Sequence, residues 1–273
     1  MDYGKLFSLE GRTAIVTGGA GILGRHFCRA LAAFGANVVV CDREQKACDD
    51  VVQTIGQEQR SGKAIGITCD VADPGSVDAM VATVLARFGS CDILLNNAAT
   101  KGADLKAFFA SAEDYGLDAW REVMRVNLDG MFIVARAVGK AMIAGRRGGS
   151  IIQTSSIYGV VGADQRIYEG SEYMGVRISN PIVYSASKSA VLGLTRHLAT
   201  AWAPHGIRVN TLVPGGVGSG QNDRFAANYS ARVPLGRMAR AEEMPGAVIY
   251  LASDASSYVT GQCLIVDGGL TTW

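Results

Sequence analysis

Short apolar runs rich in β-branched residues recur along the chain, and longer stretches with a helical period separate them. The runs are RTAIVT, NVVVCD, AIGITCDV, DILLNN, SIIQTSS, IRVNTLV and CLIVDGG, which predicts seven strands. Helical patterns lie between them at about 22–35, 43–60, 74–89, 116–145, 182–204 and 241–252. Strands that alternate with helices require right-handed βαβ crossovers. A sheet covered on both faces also explains why each run is apolar throughout instead of alternating. The predicted class is α/β, a doubly wound sheet of seven parallel strands with helices on both faces.

No linker, repeat or composition shift divides the 273 residues, so one domain over 1–273 is expected. Two stretches break the rhythm after strand ends, 99–115 and 157–181. Ligands of open α/β sheets bind outside the carboxyl ends of the strands, so 157–181 is read as an inserted substrate-side loop. A surface loop or subunit contact is the competing reading.

Composition narrows the partner. A formal net charge of +1, with 48% hydrophobic and 19% charged residues, gives no reason to expect nucleic acid or a membrane surface. No apolar run approaches the roughly 20 residues that span a bilayer, and the first residues lack a signal-length apolar segment. A cytoplasmic protein with a small-molecule substrate is expected. None of the six cysteines forms a CxxC pair, and His26, His197 and His205 show no ligand spacing. Buried reduced thiols and no metal site follow.

The stretch TGGAGILG sits between the first strand and the first helix. Glycines there let the backbone approach a pyrophosphate, which the free N–H groups and positive end of the helix would meet. Gly18, Gly21 and Gly24, with Ile22 and Leu23 between them, are therefore candidate dinucleotide contacts. Asp42 ends the second strand, where a carboxylate accepts from the ribose hydroxyls and repels a 2′-phosphate, favouring NAD over NADP. Arg43 beside it could instead pair with that phosphate. Asp70 and Val71 at the third strand end, and Asn97, Ala98 and Ala99 at the fourth, complete the same edge.

Tyr184 and Lys188 lie four apart in one helical pattern, hence on one face. An ammonium near a phenol favours the phenolate, so Tyr184 could exchange a proton near neutral pH, well below its free pKa of about 10. On spacing alone an ordinary helix pair is the better reading.

The order of elements adds more. The glycine turn, NNAA, Asn127 in MRVNLDG, the serines at 155–156, Tyr184-x-x-x-Lys188, RVNTLVPGG and the closing VDGG follow one another as in classical short-chain dehydrogenases/reductases. The resemblance spans essentially the whole chain. It implies one Rossmann-type domain, a nicotinamide cofactor, and a homotetramer or homodimer. It makes Tyr184 the general acid/base, Lys188 the group that lowers its pKa and binds the nicotinamide ribose, and Ser156 the hydrogen-bond partner of the reacting oxygen. Ser156 is preferred to Ser155 because Gly159 follows it by three. Asn127 would kink its helix and hold a relay water. Pro214 and Gly215 would turn the chain under the nicotinamide, with Val217 and Ser219 at its carboxamide.

Two departures shape the expectation. Tyr184 follows Ser156 by 28 positions, about 15 more than is usual in the family. The extra residues include Asp164, Gln165, Arg166, Tyr168, Glu169, Tyr173 and Arg177, a mix suited to hydroxyls and anions. A polar, sugar-like substrate is expected, and the chain is similar to a branch linked to bacterial surface-sugar and flagellin-glycan biosynthesis. A 3-oxoacyl-[acyl carrier protein] reductase is the alternative. The Gly18-x-x-Gly21-x-x-Gly24 spacing also resembles extended nucleotide-sugar epimerases, but those carry a substrate domain for which the chain, ending at Trp273, is expected to have no room. A non-catalytic NAD-binding regulator would have lost a member of Asn127, Ser156, Tyr184 and Lys188, and all four are present.

Overall fold

The structure is a computed structural model that describes residues 3–58 and 62–273. Seven strands form one parallel sheet: β1 (Thr13–Thr17), β2 (Asn37–Asp42), β3 (Ala64–Thr68), β4 (Ile93–Asn96), β5 (Gly149–Thr154), β8 (Ile207–Pro214) and β9 (Cys263–Val266). Strands β6 (Glu172–Tyr173) and β7 (Val176–Arg177) make a separate antiparallel hairpin. The sheet order is β3-β2-β1-β4-β5-β8-β9, so the winding reverses between β1 and β4. A Rossmann-type sheet opens a ligand crevice at that switch point.

Helices α1 (Ile22–Ala33), α2 (Gln45–Gln57) and α9 (Pro245–Ala252) cover one face; Phe27, Leu31, Val51, Ile55 and Val248 pack there on β1 and β2. On the other face, α3 (Pro74–Phe88), α6 (Met131–Gly145) and α7 (Ile182–Trp202) bury Met80, Val134, Val138 and Leu198 against Ile15, Leu94, Ile151 and Val209. Local chemistry sets the ends of these helices. The Asp73 carboxylate accepts from the Gly75 N–H at 2.9 Å and caps α3, Pro74 occupies its first turn, and Gly89 closes it at φ 80°.

The pattern misses the short pieces, which hold too few residues to show a period: α4 (Leu105–Phe108), α8 (Asp223–Ser230) and the hairpin. The predicted helix at 116–145 is two helices, α5 (Leu117–Met124) and α6, joined through a π-turn at Arg125–Gly130. At 241–252 a 3₁₀ turn, Ala241–Glu243, precedes α9. Residues 59–60 of the second predicted helix lie outside the described residues. The predicted third strand stops early: the Cys69 N–H still donates to the Asp42 carbonyl of β2 at 2.8 Å, but Asp70 and Val71 enter a turn closed by the Asp73 N–H on the Asp70 carbonyl.

The 157–181 insert is ordered by its own contacts. Met174 and Gly175, at φ 51° and 76°, turn the hairpin with two left-handed residues, as a two-residue loop demands. The Lys101 ammonium sits 4.2 Å from the centre of the Tyr173 ring and ties the hairpin to the β4 loop. From α8, the Asn222 amide donates to the Glu172 carbonyl at 2.9 Å, and Arg224 donates to that of Glu169. Among the described residues no helix is long and apolar enough to cross a membrane.

Candidate active site

At the switch point the glycine turn is dictated by space. Gly18 has φ 63°, and a Cβ on it would stand 2.9 Å from the Ala98 Cα. A Cβ on Gly24 would stand 2.0 Å from the Gly18 carbonyl oxygen, so the helix can close on the turn only with glycine there. Gly21 is the least crowded of the three, 3.1 Å from the same oxygen. It is the residue before α1 and offers no side-chain cap, which leaves the first N–H groups of Ile22, Leu23 and Gly24 without intrahelical acceptors. Arg25 holds the turn from outside, donating to the carbonyls of Gly21 and Ala20 at 3.3 and 2.9 Å.

A cavity of about 350 Å³ opens above these groups and is lined by Gly18, Gly21, Ile22, Leu23, Gly24, Asp42, Arg43, Asp70, Val71, Asn97, Ala98 and Ala99, every candidate of the adenosine half. The Asp42 carboxylate accepts from the Ala20 and Arg43 N–H groups at 3.1 and 2.8 Å, which fixes it on the cavity wall with lone pairs to spare. Asp70 accepts from the Ala72 N–H at 2.9 Å and has the Arg125 guanidinium 3.8 Å away. Free helical N–H groups, a backbone cradle with no room for Cβ atoms and a carboxylate one strand over fit a dinucleotide. Thr100, Arg125 and Val126 also line the cavity. Arg125 and Val126 come from the π-turn, whose approach no local pattern encodes.

The candidate reactive residues converge from β5 and α7. The Ser155 hydroxyl donates to the Lys188 carbonyl at 2.7 Å, and a Cβ on Gly159 would stand 2.5 Å from that hydroxyl oxygen and 2.6 Å from the same carbonyl oxygen. Ser155 and Gly159 thus dock the turn on α7, leaving Ser156 to face Tyr184. The Lys188 ammonium is buried and donates to the Thr154 carbonyl at 3.0 Å, 5.9 Å from the centre of the Tyr184 ring. Asn127 lies fully buried in the π-turn, its side chain accepting from the Thr100 N–H at 2.7 Å and donating to the Thr100 carbonyl at 3.3 Å. The expected kink is therefore a π-turn, a distortion frequent at functional sites.

Burial pushes the Tyr184 hydroxyl above its ordinary pKa, and hydrogen bonding with Ser156 only partly opposes it. Burial likewise lowers Lys188 to about 8.

Pro214 ends β8, and the Gly215 N–H donates to the Val266 carbonyl at 2.9 Å. A Cβ on Gly215 would meet the Asp267 Cα at 2.7 Å. Val217 bridges to Ala239, while Ser219 is exposed and engaged by Gln221, which accepts from its N–H at 2.7 Å and donates to its hydroxyl at 3.0 Å. These four lie outside the adenosine cavity.

Residues 18–271 match the family model described as Enoyl-(Acyl carrier protein) reductase. The 2,5-dichloro-2,5-cyclohexadiene-1,4-diol dehydrogenase of Sphingobium indicum is 39% identical over 96% of this chain and 98% of its own. The galactitol 2-dehydrogenase (L-tagatose-forming) of Cereibacter sphaeroides is 38% identical over the full length of both chains. The crystal structure of a gluconate 5-dehydrogenase from Burkholderia cenocepacia, in complex with NADP and tartrate, superposes with a TM-score of 0.85 at 33% identity, over 98% of each chain. The chain belongs to the short-chain dehydrogenase/reductase family.

In this short-chain dehydrogenase/reductase the insert spends much of its polarity on itself. Arg166 makes a two-pronged pair with Asp164, both contacts at 2.8 Å, and Arg232 adds a second cation 3.5 Å from that carboxylate. Gln165 exchanges hydrogen bonds with the Asn180 backbone. Gln165, Arg166, Glu169 and Arg177 instead line a separate cavity of about 820 Å³ beside Ile182 and Ser185, and neither Ser156 nor Tyr184 borders it. The insert meets Tyr184 through Tyr168, Ile178 and Ala163, in one apolar cluster with Tyr158, Phe225 and Tyr229.

Proposed function

We propose that this enzyme interconverts a secondary alcohol and a ketone on a polyol or sugar-like substrate, with NAD preferred to NADP. The observation that carries the chemistry is the meeting of Ser156, Tyr184 and buried Lys188 at the open end of β5. A bound nicotinamide supplies the hydride acceptor or donor. Tyr184 takes the hydroxyl proton in oxidation and returns it in reduction, and Ser156 hydrogen-bonds the same oxygen. Lys188, held by one N–H on Thr154, keeps two donors for the cofactor ribose and lends the site its positive charge. Asn127 ties the π-turn, a neighbour of α7, to Thr100, and a relay water held there would reach Lys188.

The substrate class rests on relatives that act on galactitol and gluconate. The NAD preference rests on Asp42 at the cavity wall, against a related structure that holds NADP. Exposed Leu117, Phe132 and Ile182 on α5, α6 and α7 support self-association as a homotetramer or homodimer through those helices.

The test is NAD⁺ reduction across acyclic polyols, sugar acids and 3-hydroxyacyl thioesters, with Tyr184→Phe alongside. The native protein should turn over polyols or sugar acids, and the variant should lose about 10³-fold in kcat while still binding NADH. Turnover confined to thioesters, or a variant that keeps most of its rate, would overturn the reading.

A further inference from the structure

Behind Tyr184 the insert and α8 assemble a run of aromatic rings. Tyr158 and Tyr168 have ring centres 6.5 Å apart, Tyr168 and Phe225 5.4 Å, and Phe225 and Tyr229 5.9 Å. Three of the four carry hydroxyls. That of Tyr229 is occupied, accepting from the Gly216 N–H. The Tyr158 oxygen is different. Its residue is 8% exposed, the oxygen itself is sealed from solvent, and it makes no hydrogen bond. The Tyr168 hydroxyl lies beside it without a well-directed bond.

A buried hydroxyl without a partner is costly, and native proteins seldom keep one. This one adjoins the proposed reactive residues. Tyr158 follows Ser156 by two residues, its N–H donates to the Ser156 hydroxyl oxygen at 3.3 Å, and its ring shares the cluster that includes Tyr184. The Tyr158 phenol also lies close enough to that of Tyr184 for the two to interact electrostatically.

We propose that Tyr158 is a specificity-determining residue, its hydroxyl hydrogen-bonding a second substrate hydroxyl on the carbon next to the one that reacts. The inference rests on the polyol reading above and deepens it. The two-pronged pair with Arg166 fixes Asp164, the residue that opens the turn carrying Tyr168. Tyr168 in turn packs on the Tyr158 ring, so the insert positions the recognising group rather than contributing its charged residues to the substrate.

The closing experiment compares butane-2,3-diol with butan-2-ol, which differ by one hydroxyl, in the native enzyme and in Tyr158→Phe. The native enzyme should favour the diol in kcat/KM. The variant should lose about 10- to 100-fold on the diol and less than about threefold on the mono-alcohol. Equal losses on both would mark Tyr158 as structural, and no loss on either would mean that water satisfies it; both results overturn the proposal. A native enzyme that does not favour the diol rejects the polyol reading itself, which the native measurements show before any variant is made. Should Tyr158→Phe melt early, Tyr168→Phe, which disturbs only the support, must shift the same ratio by two- to fivefold or the proposal falls.

Discussion

The proposed adenosine half of the site is shaped by where side chains are missing, and the proposed substrate half by where they meet. At the glycine turn, the positions of Gly18 and Gly24 follow from backbone atoms that a methyl group would strike. Around Tyr184, phenols and apolar groups arrive from 157–168, 178 and 225–229, segments distant in sequence. A backbone cradle tolerates almost no change at its glycines and suits a ligand shared by many enzymes. A cluster of side chains can be altered one residue at a time and suits a ligand that differs between relatives.

The contrast can be tested hardest at Gly24. Gly24→Ala places its methyl 2.0 Å from the Gly18 oxygen and should cost about 3 kcal/mol in stability, with NADH affinity falling on the order of 100-fold. Gly21→Ala, with 3.1 Å to spare, should do far less, and thermal melts with NADH fluorescence titration separate them. Equal effects would break the argument from space.

Lys188 offers the next test. Its folded pKa of about 8 lies below the unfolded value near 10.4. The desolvation cost is therefore paid in full below pH 8 and relieved as pH rises from about 8 to 10. Cofactor-free native protein should gain up to about 3 kcal/mol over that window relative to Lys188→Met. Parallel pH–stability curves from the two proteins would show that the ammonium is not desolvated.

The smallest effect is expected at Asp42. Asp42→Ala removes the carboxylate, leaves Arg43 in the cavity wall and should move the NADH/NADPH preference about tenfold toward NADPH. If the native protein already prefers NADPH by titration, the assignment of Asp42 to the ribose is wrong.

The same division governs what could be read from the sequence. All seven sheet strands were legible, and the residues expected around a dinucleotide line one cavity, because β-branched runs and glycine spacing are local consequences of local geometry. Tyr184, Lys188 and Ser156 were singled out as candidates by the order of motifs, and Gly159 separated Ser156 from Ser155, which the packing shows bonded to α7. Tyr158 was not found. Its significance depends on Tyr168 ten residues later and on α8, a helix too short to declare itself by period. Asp164 and Arg166 looked like ligand contacts in isolation; their pairing with one another became visible only in three dimensions. Arg125 reached the cavity unannounced for the same reason.

The π-turn at Arg125–Gly130 carries a final implication. A π-turn holds one residue more than the α-helix around it, so it behaves as a single-residue insertion that the fold has kept. Removing one residue anywhere in it would restore a continuous helix and rotate everything upstream by about 100° relative to α6. Asn127 would then leave Thr100, and Arg125 and Val126 would leave the cofactor cavity together. Point substitutions can erode these contacts singly, but one codon lost in frame would remove all of them at once, so this short segment should tolerate changes of residue far better than changes of length.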